Sequence, residues 1–173
     1  MIDAWRQHCQ AEFEMKDVDE TMNTMGGQPD YVLNIPTCVG GVGMEQIRGF
    51  YANDFVNKTP EDTKTTRVQL TVDPSSSTMV DELIFAFTHD IEMPWMLPGV
   101  RPTGKHVAVP LVVSIGFSQC GNKVISERIY WDQASVLQQV GMLDKVEKLP
   151  IVGKRQAMTV QAPKEMIGTR CRE

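Results

Sequence analysis

A histidine in a predicted strand is the first residue of this sequence that could do acid/base chemistry. Hydrophobic side chains alternate along residues 84–93, so one face of the strand carries Phe85, Phe87, His89, Ile91 and Met93. We expect this aromatic face to be the inner one, which directs His89 into a pocket. An imidazole titrates near neutral pH and can act there as a general acid or base. The alternative is a core histidine whose hydrogen bonds are satisfied.

Carboxylates are the other candidates for acid/base work. Asp132 directly precedes a predicted helix at residues 133–140, where Asp is a good N-cap. Asp90 and Glu92 lie on the opposite face of the His89 strand. They are expected to be outward, solvated charges, and they become partners of the site only if the two faces are reversed.

The sequence holds no pattern for metal, thiol or phosphate chemistry. Cys9, Cys38, Cys120 and Cys171 are scattered, with no C-x-x-C pair and no histidine at zinc-ligand spacing, so we expect reduced thiols. The glycine run at residues 40–43 lacks the lysine and hydroxyl of a phosphate-binding loop and is predicted to be a flexible loop. We therefore expect neither a metal nor a cofactor.

The composition fits one domain with a basic end. The chain has 173 residues, of which 42% are hydrophobic and 23% charged, and a net charge of -5. Nucleic-acid binding is not expected, because it needs a clustered basic face. Residues 149–173 carry +3 and residues 1–148 carry -8. We predict a domain at residues 1–148 and a tail at residues 149–173 that packs on this acidic body or on a partner subunit.

No segment of the sequence is predicted to span a membrane. The longest apolar stretch, residues 107–117, contains Pro110, Ser114 and Gly116, and a span needs about 20 apolar residues. The first residues lack the basic start and the apolar run of a signal peptide. We expect a cytoplasmic protein.

The order of predicted elements indicates an α+β fold with helices packed on one face of a sheet. Helices are predicted within the first 25 residues, at 44–57 and at 133–140, and a short strand at 31–36. Consecutive antiparallel strands are predicted at residues 65–72, 79–93, 105–117 and 124–131. Pro110 cannot donate a ladder hydrogen bond, so we expect an edge or a bulge that bends the sheet there.

Three short motifs, in a fixed order, resemble a known family. They are Arg101-Pro102-Thr103-Gly104-Lys105, then Tyr130-Trp131-Asp132 after a turn at Gly121-Asn122, and Leu137-Gln138-Gln139-Val140-Gly141. Their order is similar to that of the SnoaL-like polyketide cyclases, in the nuclear transport factor 2-like superfamily, and of limonene-type epoxide hydrolases. The resemblance implies a cone of curved sheet wrapped by helices, an apolar pocket in its wide end, and dimerisation through the sheet. We expect a homodimer.

The resemblance also implies roles for single residues. Asp132 matches the position of a catalytic carboxylate in both families, and desolvation in an apolar pocket would raise its pKa toward neutrality. Thr88-His89 resembles a Thr-His pair of the cyclases, whose histidine assists acid/base work. The limonene-type pattern needs an Arg and an Asp two apart on this strand. Only Asp90 is present, which counts against that triad.

Further residues are expected to bind the substrate. Tyr31 and Asn34 resemble a Tyr and an Asn that hold water or substrate in these families, but they are three apart rather than two. Alternation sends them to opposite faces, and we favour Asn34 as the one that lines the cavity. An apolar wall could come from Tyr51, Met93, Trp95, Met96, Tyr130 and Trp131. The loop at residues 92–101 is predicted to be an exposed lid or a dimer contact.

Three functions remain open on the sequence alone. The first is a cofactor-independent enzyme in which Asp132, helped by His89, cyclises or isomerises a polyketide or terpenoid-like intermediate. The second uses the same Asp132 to open an epoxide in a small hydrophobic, oxygenated substrate. The third is a binding or assembly domain without chemistry, in which Asp132 is only a helix cap. One fold serves all of these functions, so the site must decide.

Overall fold

The computed structural model describes residues 1–143, 150 and 153–161. The helices are α1 Ile2–Gln10, α2 Val18–Thr24, α3 Gly43–Phe50, α4 Gln133–Gln139 and α5 Arg155–Gln161. The strands are β1 Tyr31–Asn34, β2 Val39–Val42, β3 Lys64–Asp73, β4 Thr78–Thr88, β5 His106–Phe117 and β6 Val124–Trp131. Helices α1 and α3 each continue into a π-helical turn, Ala11–Met15 and Tyr51–Phe55 respectively. The predicted α+β order is confirmed.

Six strands form one curved, open sheet in the order β2-β1-β6-β5-β4-β3. Neighbours are antiparallel except β1 and β6, which are parallel. The long strands lie close to the predicted bounds, but β4 ends at Thr88 rather than at residue 93. At that point the His89 carbonyl accepts from both Thr103 and Gly104, and the chain turns into a loop. His89 therefore follows the strand instead of continuing its alternation.

The two faces of the sheet are covered by different helices. On the concave face, Trp5 of α1 and Phe50 of α3 belong to the main hydrophobic core. On the opposite face, Ala157 of α5 packs against Ile84 and Ala108. Helix α5 belongs to the predicted basic tail, and three of the five basic residues of that tail, Lys164, Arg170 and Arg172, lie outside the described residues. Within the described ranges, no helix has both the length and the apolar character to cross a membrane.

Pro110 lies where the pairing of β5 with β6 begins. It pairs with Ile84 of β4, whereas the ladder to β6 starts one residue later, at Leu111. Although β5 is a central strand, Pro110 is an edge residue on the β6 side, as predicted. Beyond it the Gln139 side chain takes the place of a strand, because it accepts from the Ala108 N–H and donates to the Ala108 carbonyl.

The glycine run is a strand and not the flexible loop predicted from its composition. Residues 39–42 form β2, which pairs with β1 along its whole length. Helix α3 then packs directly on this strand. A Cβ atom at Gly41 would lie 2.5 Å from the backbone carbonyl carbon of Gln46 in α3. Glycine is needed here for close approach of two backbones, a requirement that composition alone does not separate from flexibility.

Replacing Gly41 by Ala should lower the free energy of unfolding by about 1–3 kcal/mol, because the added methyl group forces α3 away from β2. Gly49 is the matched control on the same helix, since its Cβ would meet nothing within 4 Å. Gly49→Ala should be neutral or stabilising by up to about 1 kcal/mol. Urea unfolding of both variants measures the difference, and equal stabilities would contradict the packing described.

Candidate functional site

A cavity of about 320 Å³ lies between the concave face of the sheet and the N-terminal helices. Its aromatic wall is formed by Phe13, Phe50, Phe55, Phe85 and Trp95, and aliphatic side chains from β1, β4, β5 and β6 complete it. Two exposed residues of the edge strand, Thr65 and Arg67, also line it, so the cavity opens beside β3. A concave apolar chamber with few polar groups is typical of a small-molecule site.

Most polar groups at one end of the cavity come from a single helical face. Trp5, Cys9 and Glu12 line the cavity, and His8 lies on the same face. Their spacing of three, four and seven residues places these four side chains above one another along α1 and its π-helical turn. His8 is 0% exposed and Glu12 is 5% exposed. Buried groups of this kind need partners.

His8 joins two buried carboxylates. Its Nε2 atom lies 3.1 Å from Oε1 of Glu12 and 3.0 Å from Oε1 of Glu127 on β6. The Tyr51 hydroxyl donates to the same Glu127 oxygen at 3.1 Å and lies 3.2 Å from Nε2. We call His8, Glu12, Tyr51 and Glu127 the His8 cluster. In both glutamates these contacts use Oε1, and both residues line the cavity.

Thr24 fixes the proton on the other nitrogen of His8. The Thr24 hydroxyl donates its single hydrogen to the Thr21 carbonyl at 2.6 Å, so toward His8 it can only accept. His8 Nδ1 lies 2.6 Å from that oxygen and therefore carries a hydrogen. The Trp5 indole stacks on the imidazole, with ring centroids 5.5 Å apart. The ring is thus held with Nε2 directed at the two carboxylates.

Burial and charge act in opposite directions on the cluster. Burial disfavours the charged imidazole, but the carboxylates of Glu12 and Glu127 outweigh it and raise the pKa of His8 from 6.5 to about 10. Burial raises the pKa of Glu12, although the neighbouring imidazolium opposes this. Burial and the charge of Glu127 also raise the pKa of Tyr51, which stays a hydrogen-bond donor. Two carboxyl groups in unlike environments can divide the roles of acid and base.

Arg67 and Asp81 form a second polar group in the same cavity. Asp81 is 1% exposed. It accepts from Arg67 Nε at 2.8 Å, from Arg67 Nη2 at 2.7 Å and from Trp5 Nε1 at 2.8 Å. Trp5 therefore connects the two groups, since its indole also stacks on His8.

A β-bulge sets the direction of Arg67. The register between β3 and β4 shifts between Arg67 and Gln69. Before the shift, Arg67 pairs with Leu83, which lines the cavity, and after it Leu70 pairs with Asp81. The extra residue lets β3 keep side chains on the concave face on both sides of the bulge, a device that is common beside functional sites.

His8, Glu12 and Glu127 are also the described residues whose donor types could suit a cation, because their ligand atoms lie within 4.8 Å of one another. Here the imidazole already contacts both carboxylates through Nε2. The charged groups of the cluster are therefore partners of one another.

The structure places Asp132 at a helix cap and not along the cavity. Its Oδ1 accepts from the N–H groups of Ala134 at 2.9 Å and Ser135 at 3.2 Å, and its Oδ2 accepts from the Gln156 side chain. These contacts account for an Asp at the start of α4. The catalytic role that the resemblance implies for Asp132 stays a prediction.

His89 is buried but does not line the cavity either. Its Nδ1 lies 3.2 Å from the Thr103 hydroxyl, and burial lowers its pKa. The reason for the difference from the expected inward position is the end of β4 at Thr88, after which alternation no longer applies. His89 and Asp132 are not hydrogen-bonded to each other, and an acid/base role for His89 stays a prediction.

The predicted substrate-binding residues are divided between the cavity and the surface. Asn34 and Trp95 line the cavity, and Tyr51 is fully buried within the His8 cluster. The Asn34 amide also donates to the Val39 carbonyl. Tyr31 instead lies under the guanidinium of Arg128, and Tyr130 and Asp90 are exposed. Opposite faces for Tyr31 and Asn34 are as expected from their spacing.

The apolar side chains of the loop at residues 92–101 are buried in the core and not exposed as predicted, and a role of the loop as a lid or a dimer contact stays a prediction. Met93, Trp95, Met96 and Leu97 are each at most 1% exposed. Trp95 packs between Phe55, Phe85 and Trp131. The prediction of an exposed loop was wrong because Pro and Gly indicate only that the chain turns. Burial depends on the apolar side chains between them.

Sequence reasoning missed three members of the His8 cluster, namely His8, Glu12 and Glu127. A signal existed for each of them. His8 and Glu12 share a helical face with Trp5 and Cys9, and Glu127 alternates with Ile129 and Trp131 on β6. A charged residue in register with apolar ones is the pattern to look for.

Comparisons with known proteins support the fold. No protein-family model and no curated protein matches the sequence. A structure from Jannaschia that is assigned as a SnoaL-like polyketide cyclase is 17% identical, with a TM-score of 0.59 over 82% of this chain and 94% of that one. A Catenulispora acidiphila protein with a ketosteroid isomerase-like fold is 15% identical, with a TM-score of 0.60 over 80% and 92%.

A third similar structure is that of an epoxide hydrolase/cyclase-like enzyme in pyran ring formation of the polyether salinomycin. It is 15% identical, with a TM-score of 0.57 over 77% of this chain and 91% of that one. At these identities the comparisons establish architecture and not activity. The fold resemblance drawn from the motifs is confirmed.

Proposed function

We propose that the protein is an enzyme that moves a proton on a hydrophobic, oxygenated small molecule held in the cavity. The reaction class is the cyclisation or isomerisation of a polyketide or terpenoid-like intermediate. One observation carries the proposal: Glu127 faces an apolar cavity while its Oε1 is held by His8 at 3.0 Å and Tyr51 at 3.1 Å. A carboxylate oriented in this way is suited to general base catalysis.

In this proposal Glu127 is the base. Its free Oε2 takes a proton from a carbon beside a carbonyl group, and the C–H electron pair moves to the carbonyl oxygen to give an enolate. In an isomerisation the enolate takes the proton back at another carbon. In a cyclisation the enolate carbon attacks a second carbonyl carbon, a C–C bond forms, and the second oxygen takes the proton back from Glu127, which restores the base.

A second candidate reaction is epoxide opening at the same carboxyl groups. Burial raises the pKa of Glu12, so its protonated form, which can donate a proton to the epoxide oxygen, becomes available as the pH falls. Glu127 would then remove a proton from the attacking water or internal hydroxyl. The similar enzyme of salinomycin pyran formation makes this candidate worth a direct test.

Two simple substrates separate these functions. The first assay follows the exchange of the methylene protons beside the carbonyl of 1-tetralone in deuterated buffer by NMR. The second follows labelled oxygen from solvent into the diol formed from styrene oxide. Faster exchange than in buffer supports proton abstraction, and labelled diol supports epoxide opening. If 1-tetralone binds but its exchange is not accelerated, and no labelled diol forms from styrene oxide, the enzyme proposal is contradicted and a binding domain is indicated.

A further inference from the structure

The Arg67–Asp81 pair differs from an ordinary surface ion pair. One partner is almost fully buried, since Asp81 is 1% exposed, and the other reaches the cavity mouth. Asp81 accepts three hydrogen bonds through its two oxygens, two from Arg67 and one from Trp5. A bidentate contact fixes the plane of the guanidinium as well as its position. The arginine is thus held in one orientation before any ligand arrives.

Arg67 keeps hydrogen-bond donors for a ligand. A guanidinium has five N–H groups, and the bonds to Asp81 use Nε and Nη2. Among the described residues no partner occupies Nη1. The side chain is 52% exposed, and Arg67 lines the cavity. The unused N–H groups therefore lie where the cavity meets solvent.

The two polar groups act on one region of the cavity. Cys9 lines the cavity together with Glu12, Glu127, Arg67 and Asp81. Burial and the charges of Glu12, Glu127 and Asp81 raise the pKa of its thiol. A negatively charged ligand would be attracted by Arg67 and would also meet repulsion from the carboxylates there. A neutral ligand whose oxygen gains negative charge only during reaction would not meet it in the ground state. Groups that bind developing charge better than the ground state lower the barrier.

We infer that Arg67 binds the carbonyl oxygen of the substrate and stabilises the oxyanion that forms there, with Asp81 as its positioning residue. This inference rests on the proposed function and adds the substrate class: a neutral carbonyl compound whose oxygen contacts Arg67 while the adjacent carbon faces Glu127. No bond to the protein forms. Glu127 takes the proton, the C–H electron pair forms the C=C bond of the enolate, and the carbonyl electron pair becomes the negative charge on the oxygen that Arg67 stabilises by hydrogen bonding.

The test uses 4-nitrophenol as a probe, because its phenolate mimics an enolate oxygen and absorbs differently from the phenol. We expect the protein to bind the phenolate form, so that the ionisation of the bound probe shifts to lower pH than in buffer. Arg67→Gln should weaken phenolate binding about tenfold or more, the loss expected for a hydrogen bond to a charged group. Arg67→Lys should give a smaller loss of phenolate binding, because lysine keeps the positive charge but lacks the paired, planar N–H groups of the guanidinium.

Controls separate this inference from folding and from the proposed function. Arg67→Gln/Asp81→Asn removes both charges together, leaves no unpaired buried carboxylate, and should lose phenolate binding like Arg67→Gln. Arg128→Gln changes an exposed arginine that stacks on Tyr31 and should leave binding unchanged. Glu127→Gln should keep or strengthen phenolate binding. Phenolate binding therefore tests the role of Arg67 even if Glu127 is not the catalytic base. Unchanged binding in Arg67→Gln, or binding of the neutral phenol alone by the natural protein, would overturn the inference.

Discussion

Glu127→Gln should lower the rate of proton exchange of 1-tetralone about a hundredfold or more, the usual size of general base catalysis. The amide cannot accept the proton, but it keeps the size of the side chain and can still hydrogen-bond with Tyr51. Binding of 1-tetralone should change little, because most of its contacts are with the aromatic wall. The measurement is the initial exchange rate by NMR at saturating ketone, beside its dissociation constant.

Asp132→Asn is the matched control for this prediction. Asn is also a good N-cap, so the variant should keep α4 and, if Asp132 serves only as the cap, also the exchange rate. The resemblance to the cyclases predicts the opposite, a loss of turnover at Asp132. Loss in Asp132→Asn together with full activity in Glu127→Gln would return the chemistry to Asp132 and contradict our proposal.

His8→Leu should lower the free energy of unfolding by about 3–5 kcal/mol near neutral pH, as expected when one member of a buried ion cluster is removed. The variant leaves Glu12 and Glu127, which are 5% and 3% exposed, without their shared cation. Thr24 loses its partner as well, although Tyr51 still donates to Glu127. Urea unfolding of the variant and the natural protein gives the difference.

The pH dependence of this difference has a definite sign. The pKa of His8 rises from 6.5 to about 10 on folding, so the folded state keeps a proton that the unfolded chain releases. The stabilisation by His8 is complete below pH 6.5 and disappears as the pH rises toward 10. The charged groups that face His8 are Glu12 and Glu127, with Tyr51 and Thr24 as neutral partners. Burial raises the pKa of Glu12 as well, so this group also makes the folded state less stable as the pH rises.

Two outcomes check the prediction for His8. The penalty of His8→Leu should shrink between pH 6.5 and 10, because the natural protein loses its advantage over this range. Adding Glu12→Gln to His8→Leu should recover part of the lost stability, since one buried charge is removed. A constant penalty from neutral to alkaline pH, or no recovery in the double variant, would contradict a charged His8.

Strand positions could be predicted from the sequence because apolar and polar residues alternate within a strand, which is a local pattern. In β6, residues 124–131 were predicted with the bounds that the structure has, and β5 differs by one residue. Two of the local errors show the physical reasons. Gly41 is conformationally free in isolation but is required by the contact with α3, and Trp95 lies in a loop that folds into the core.

The site could be predicted only in part because it depends on contacts between distant segments. Strand alternation separated Tyr31 from Asn34, of which Asn34 lines the cavity, and its role in substrate binding stays a prediction. His8, Tyr51 and Glu127 come from α1, the π-helical turn after α3, and β6, and nothing local requires them to meet. The bulge that directs Arg67 toward Asp81 leaves no recognisable pattern in residues 64–73.

The central claim is that a charged His8 joins two carboxylates at the wall of the cavity. Nitrogen NMR of the imidazoles at pH 8 tests it without any substrate, and His8→Leu assigns the signals among the three histidines. We predict that both nitrogens of His8 carry protons at this pH, because its pKa is raised to about 10. His89, whose pKa is lowered by burial, should be neutral in the same spectrum. A neutral His8 with a bare Nε2 at pH 8 would contradict the account.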